Sequence, residues 1–169
     1  MTAPHSLDQF CSWLKVTKLS VTVQTIEWIV PAVQTVHILA IAAVVSSALA
    51  ISLRSLGLAG RDRTSGEVAR RFLPVIWRAL PVLLGTGLVL IVAEPARALE
   101  NPVFWIKMAL LVAAMAVTIA HQAPLRAQES FWDASGGRRL ATKILALTSI
   151  VLWVSVIFAG RWIAYVEAL

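Results

Sequence analysis

Between Trp28 and Leu53 the chain reads WIVPAVQTVHILAIAAVVSSALAISL, with no Asp, Glu, Lys or Arg. At about 1.5 Å of rise per residue this run makes a helix roughly 39 Å long, enough to cross a hydrocarbon core of about 30 Å with some tilt. One strongly polar ring interrupts it, His37. Successive turns around that histidine bring Gln34, Ala40, Ser47 and Ala48 to one face and leave Ile38, Val45 and Leu49 elsewhere. Small and polar residues on one stripe mark the side of a membrane helix that meets other helices. That stripe turns His37 toward the interior of a bundle.

The rest of the composition agrees. The 169 residues are 59% apolar, with a mean hydropathy of +0.79, which suits one small integral membrane domain. A net charge of +6 could belong to a nucleic-acid binder. The basic residues, however, sit between apolar runs, as topology signals do, so no nucleic acid is expected. The single cysteine, Cys11, excludes an internal disulfide and a cysteine-based zinc cluster. The first residues, MTAPHSLDQFCSWLKVTK, lack a basic region followed by an apolar run and so do not read as a signal peptide.

In chain order, Leu7, Phe10, Cys11 and Leu14 recur at helical spacing over residues 5–18, a short amphipathic helix for the interface with Trp13 at headgroup level. The expected layout is an N-terminal interfacial segment, 1–19, and a four-span bundle, 20–169. The spans are about 28–53, 73–93, 103–121 and 140–164, and the first helix could begin as early as Ser20. Residues 54–71 and 122–139 read as polar loops, the first broken by Gly57, Gly60 and Gly66. Pro102 opens the third span. Trp162 and Tyr165 anchor the last. The fold class is all-α, an integral membrane four-helix bundle.

Orientation follows from Lys and Arg. Arg54, Arg61, Arg63, Arg70, Arg71 and Arg78 border the first long loop, and Arg126, Arg138, Arg139 and Lys143 the second. Lys15, Lys18, Arg97, Lys107 and Arg161 fall on the opposite side. This asymmetry places the two long loops in the cytoplasm and both termini in the periplasm of a bacterial inner membrane.

With that orientation His37, Glu94, Lys107 and Arg161 belong to the outer half of four different helices. Charges inside a bilayer cost about 2.5–3.5 kcal/mol each at the centre and usually pair or serve a site. One reading is snorkelling residues with a Glu–Lys or Glu–Arg pair; the other is a site around His37. His121 lies at the inner end of span three, perhaps 12–15 Å from His37 in depth. One haem iron bridged by both histidines is therefore not expected. His121 reads first as an interface residue and second as another cofactor ligand. A lone membrane histidine can be a proton carrier, a haem ligand, a metal ligand or a packed polar residue. Haem fits best, because a bare metal wants several ligands whereas haem can be held by one histidine. Lys107 and Arg161 would suit propionates, and Gly85 and Gly87 would let a macrocycle approach the backbone.

Three stretches, WIVPAVQTVHILAIA with LRSLGL, AEPARALENPVFWIKMALL and LWVSVIFAGRWIAY, resemble a family of uncharacterised four-span bacterial membrane proteins over about residues 20–165. More distantly, a histidine in span one and a lysine early in span three are similar to the HemJ-type protoporphyrinogen oxidases and the CopD-type copper-resistance domains. The HemJ resemblance implies an essential histidine and lysine, His37 and Lys107, and a bound b-type haem. The surroundings of the lysine differ from HemJ, so the oxidase activity does not carry over. Internal methionines number only Met108 and Met115, few for a CopD-like copper role. The expectation is a haem b redox or electron-transfer protein in the bilayer, with a quinone or periplasmic redox partner and self-association left open. The alternative is a cofactor-free or copper-related membrane subunit that docks a partner.

Overall fold

The computed structural model describes residues 5–60, 62–127, 136–163 and 165–166. Among these the fold is all-α, with seven helices: α1 His5–Lys15, α2 Lys18–Thr25, α3 Ile29–Ser55, α4 Ser65–Ala93, α5 Pro95–Leu99, α6 Pro102–Ala127 and α7 Gly136–Trp162. Four of them, α3, α4, α6 and α7, are long and apolar enough to cross a membrane. Their outward faces carry Leu39, Leu84, Val112, Val151 and Phe158, between 62% and 69% exposed. Apolar exposure on this scale over every long helix suits lipid. The chain is a multi-pass membrane protein.

Several boundaries differ from expectation, each for a local reason. Helix α4 starts at Ser65, within the stretch expected as loop. The Thr64 hydroxyl accepts the Glu67 N–H at 3.2 Å, and the Glu67 carboxylate accepts the Thr64 N–H at 2.7 Å. Such a capping box offsets the roughly 1 kcal/mol helix penalty of Gly66. The turn itself is made by Gly57 and Gly60, whose φ values of +75° and +61° only glycine adopts without strain. The expected N-terminal helix ends at Lys15, and a second helix, α2, follows it because the Thr17 hydroxyl caps a fresh start by accepting the Ser20 N–H. A turn at 26–28 then separates Ser20 from the first span. Pro74 and Pro81 lie within α4. Residues 128–135 of the second loop and Ala164 at the end of the fourth span lie outside the described residues.

One end of the bundle gathers the chain's extremities. The Ser20 hydroxyl donates to the Val92 carbonyl at 2.7 Å, and the Gln24 amide donates back to Ser20 at 2.8 Å, which fastens α2 to the end of α4. Asn101, fully buried, donates to the carbonyls of Val166 (2.8 Å) and Ile163 (3.3 Å) and accepts the Val103 N–H. Helices α1, α2 and α5 and the tail of α7 therefore share this terminal end. The α3–α4 turn marks the opposite, loop end.

Inside, the helices pack at alternating three- and four-residue spacing, the period of left-handed bundles. On α7 the inward stripe is Thr142, Ala146, Ser149, Trp153 and Val156, all buried. Two turns inward of His37, Lys107 and Gly160 lie Val44, Ala114 and Trp153, which with Ile76 form the apolar middle layer. Ala40, Ser47 and Ala48 face inward as expected, but Gln34 is exposed.

Candidate functional site

His37 stands on α3 at the terminal end, half-buried against α4. Its Nδ1 is 2.7 Å from the Thr86 hydroxyl oxygen. Thr86 in turn donates to the Val82 carbonyl at 2.6 Å, one turn back on its own helix. A hydroxyl has one proton; with that proton on the Val82 carbonyl, Thr86 accepts from His37, and in the neutral ring Nδ1 carries the hydrogen while Nε2 keeps its lone pair. Nε2 has no hydrogen-bond partner among the described residues. Beneath the ring lies Gly87, where a Cβ would stand 3.6 Å from His37 Cε1. Gly85, expected to share that duty, opens onto free space.

Lys107 on α6 stands seven residues from Ala114 as His37 stands seven from Val44, and those two share the core cluster, so the lysine and the histidine lie at one level of the bundle. Its side chain runs over Gly160 of α7, with Nζ 3.7 Å and Cε 3.6 Å from where a Cβ would be. The ammonium makes no hydrogen bond or ion pair among the described residues. Next along α7, Arg161 donates to the Tyr165 hydroxyl at 3.0 Å, its guanidinium 5.3 Å from the ring centre. His37, Lys107 and Arg161 thus share the terminal end, Arg161 at its exposed rim.

Glu94 sits elsewhere. It follows Thr86 by eight residues on α4, about 12 Å of rise, and its carboxylate pairs with Arg97 at 2.8 Å on the surface. The structure joins it to neither Lys107 nor Arg161.

His121, expected first as an interface residue, is buried at the loop end of α6. It is only 5% exposed. Its Nε2 is 3.1 Å from the Ser55 hydroxyl of α3 and 2.9 Å from the Thr142 hydroxyl of α7. Ser55 also donates to the Ile51 carbonyl, and the two Nε2 contacts tie the ring between α3 and α7. A cavity of about 10 Å³ beside the ring is bordered by Ser52, Thr118 and Ser149. Ser55 lies eighteen residues along α3 from His37, about 27 Å by rise. The two histidines occupy opposite ends of the bundle, further apart than the sequence suggested.

Two further groups were invisible to sequence reasoning in their roles. Thr86 could have been flagged as a hydroxyl between two glycines in a membrane helix; Asn101, as an Asn preceding Pro at a helix start. Cys11 is buried against the α5 side, where burial, with Glu100 as hydrogen-bond partner, pushes its thiol above the usual range. Among the described residues no group of three or more His, Cys, Asp or Glu could hold a metal ion.

No curated protein and no solved structure matches the chain. Residues 9–166, however, match the model of a family described as "Family of unknown function (DUF6644)", and the chain belongs to that family.

Proposed function

We propose that this protein binds one haem b at the terminal end of its bundle, with His37 Nε2 as axial ligand, and acts in membrane electron transfer. The observation that carries this is the His37–Thr86–Val82 relay. A histidine that ligates a metal almost always gives its other ring N–H to a fixed acceptor, and this relay leaves Nε2 as the bare nitrogen. Lys107 has no counter-ion among the described residues and with Arg161 would hold the propionates, while Gly87 and Gly160 keep the backbone low beside them. Bound haem supplies a one-electron couple. His121 has its Nε2 engaged by the Ser55 and Thr142 hydroxyls and is not used.

The distant resemblance to HemJ-type proteins at His37 and Lys107 is consistent with this reading. The arginine asymmetry supports a site near the outer face of a bacterial inner membrane, with both termini periplasmic and a quinone or a periplasmic redox protein as partner. The absorption spectrum of the purified protein tests it. A Soret band absent from His37→Ala and present in His121→Ala is expected. Colourless wild-type protein from haem-replete cells would overturn it, leaving a cofactor-free subunit that docks a partner.

A further inference from the structure

A second feature lies on the bundle's flank. Helices α3 and α4 border a shallow, open groove of about 460 Å³, lined by Val36, Leu39 and Ala40 on one side and Val75, Arg78, Ala79 and Val82 on the other. Its size falls within the range of sites for small amphiphilic ligands. Leu39, Val75 and Val82 are 65%, 39% and 42% exposed, so the groove faces the bilayer. Arg78 is the anomaly. It lies six residues, about 9 Å of rise, inside Phe72, where the apolar run of α4 begins.

On α4 the sequence Arg71, Val75, Arg78, Val82 steps by four, three and four residues, which places all four on one stripe. Arg71 thus stands at the groove's mouth on the loop end, and Arg78 two turns deeper. Neither guanidinium has a hydrogen bond or ion pair among the described residues; Arg71 has only the Phe72 ring, 6.0 Å from its Cζ. Two unpaired cations in line at the edge of an apolar, lipid-facing trough call for an anion with a hydrocarbon tail.

We propose that this groove holds one anionic phospholipid of the leaflet at the loop end. Its phosphate lies between Arg71 and Arg78, where a guanidinium binds two oxygens at once. One acyl chain runs along Val75, Ala79 and Val82 toward Leu39. Basic pockets between membrane helices take anionic headgroups on the same physical grounds. The groove's far end adjoins the His37–Thr86 pair through Val82, but its charged end, Arg71 and Arg78, shares no residue with the proposed haem site.

The test uses purified full-length protein in detergent, thermal unfolding with added phosphatidylglycerol or phosphatidylcholine, and native mass spectrometry for retained lipid. Phosphatidylglycerol should raise the midpoint and remain bound at one per chain; phosphatidylcholine should do neither. Arg78→Gln should need about tenfold more phosphatidylglycerol for the same rise, the loss of one charge-assisted contact, and Arg78→Lys should fall between. Equal responses to the two lipids in the wild type, or a wild-type response in Arg78→Gln, would overturn the site. Should Arg78→Gln fail to fold, the wild-type lipid comparison and Arg71→Gln decide by the same criteria.

Discussion

The hydroxyl of Thr86 stands between His37 and the Val82 carbonyl, accepting from one and donating to the other. That one-way chain fixes both the tautomer and the orientation of the ring. Thr86→Val keeps the shape and removes the acceptor, so the Nδ1 hydrogen loses its partner in an apolar setting. Haem affinity should fall about 10- to 100-fold, the usual effect of losing such a support, while Thr86→Ser should stay near wild type. Haem titration of the apoprotein measures it, and an unaffected Thr86→Val would show that the relay does not position the ring.

Gly160 and Gly87 invite a different experiment. Each lies within a helix, and an added Cβ would meet Lys107 or His37 at no less than 3.6 Å, ordinary contact. Gly160→Ala should therefore fold normally and gain about 0.5–1 kcal/mol from the lower backbone entropy of alanine. Gly160→Leu should displace the Lys107 stem. Thermal melts of the two variants check the order.

Lys107 and Arg161 carry the electrostatics. A nearby cation favours the reduced, less positive form of a haem. Lys107→Met should lower the midpoint potential, by about 59 mV if the preference falls tenfold, and Arg161→Gln, at the exposed rim, should do so less. Redox titration reads both, and unchanged potentials would return the two residues to plain anchoring.

Cys11 gives a pH dependence with a definite sign. Its folded pKa lies above the unfolded one because burial and Glu100 disfavour the thiolate. The contribution to stability is therefore complete below the unfolded thiol pKa and disappears as pH rises through the folded value. Alkaline melts should show Cys11→Ala losing less stability than wild type above about pH 8.5. Since Cys11 is the sole cysteine, thiol labelling of native protein at neutral pH should be slow and denaturant-dependent.

Topology can be read with reporters. Asn101 ties the tail at Val166 to the α5–α6 junction, and the α3–α4 turn lies at the other end. A C-terminal reporter and one inserted after Gly60 should report opposite sides of the membrane. The same side for both would contradict four crossings.

Much of this was legible because the signals are additive along the chain. Long uncharged runs name membrane helices whatever their neighbours do, and the stripe of Ala40, Ser47 and Ala48 named the inner face of α3. Boundaries were harder where a cap competed with a breaker, as Thr64–Glu67 did with Gly66. The pairing of Glu94 with Arg97 spans three residues of a short helix, so a local search could have found it. The burial of His121 could not be read locally, since its partners Ser55 and Thr142 come from α3 and α7, distant in sequence. Likewise nothing in the order of residues says that Thr86 faces His37; only the register of α3 against α4 does.

The middle layer of Val44, Ile76, Ala114 and Trp153 has a consequence for how charge moves. Its one polar atom, the Trp153 indole nitrogen, is buried without a partner among the described residues. Such a layer has no hydroxyl, carboxylate or imidazole to relay a proton between His37 and His121, and the transfer of a bare ion through it is costly. Among the described residues the layer thus separates His37 from His121 along the bundle's long axis. The short route for a proton to His37 is from the face on which the termini lie.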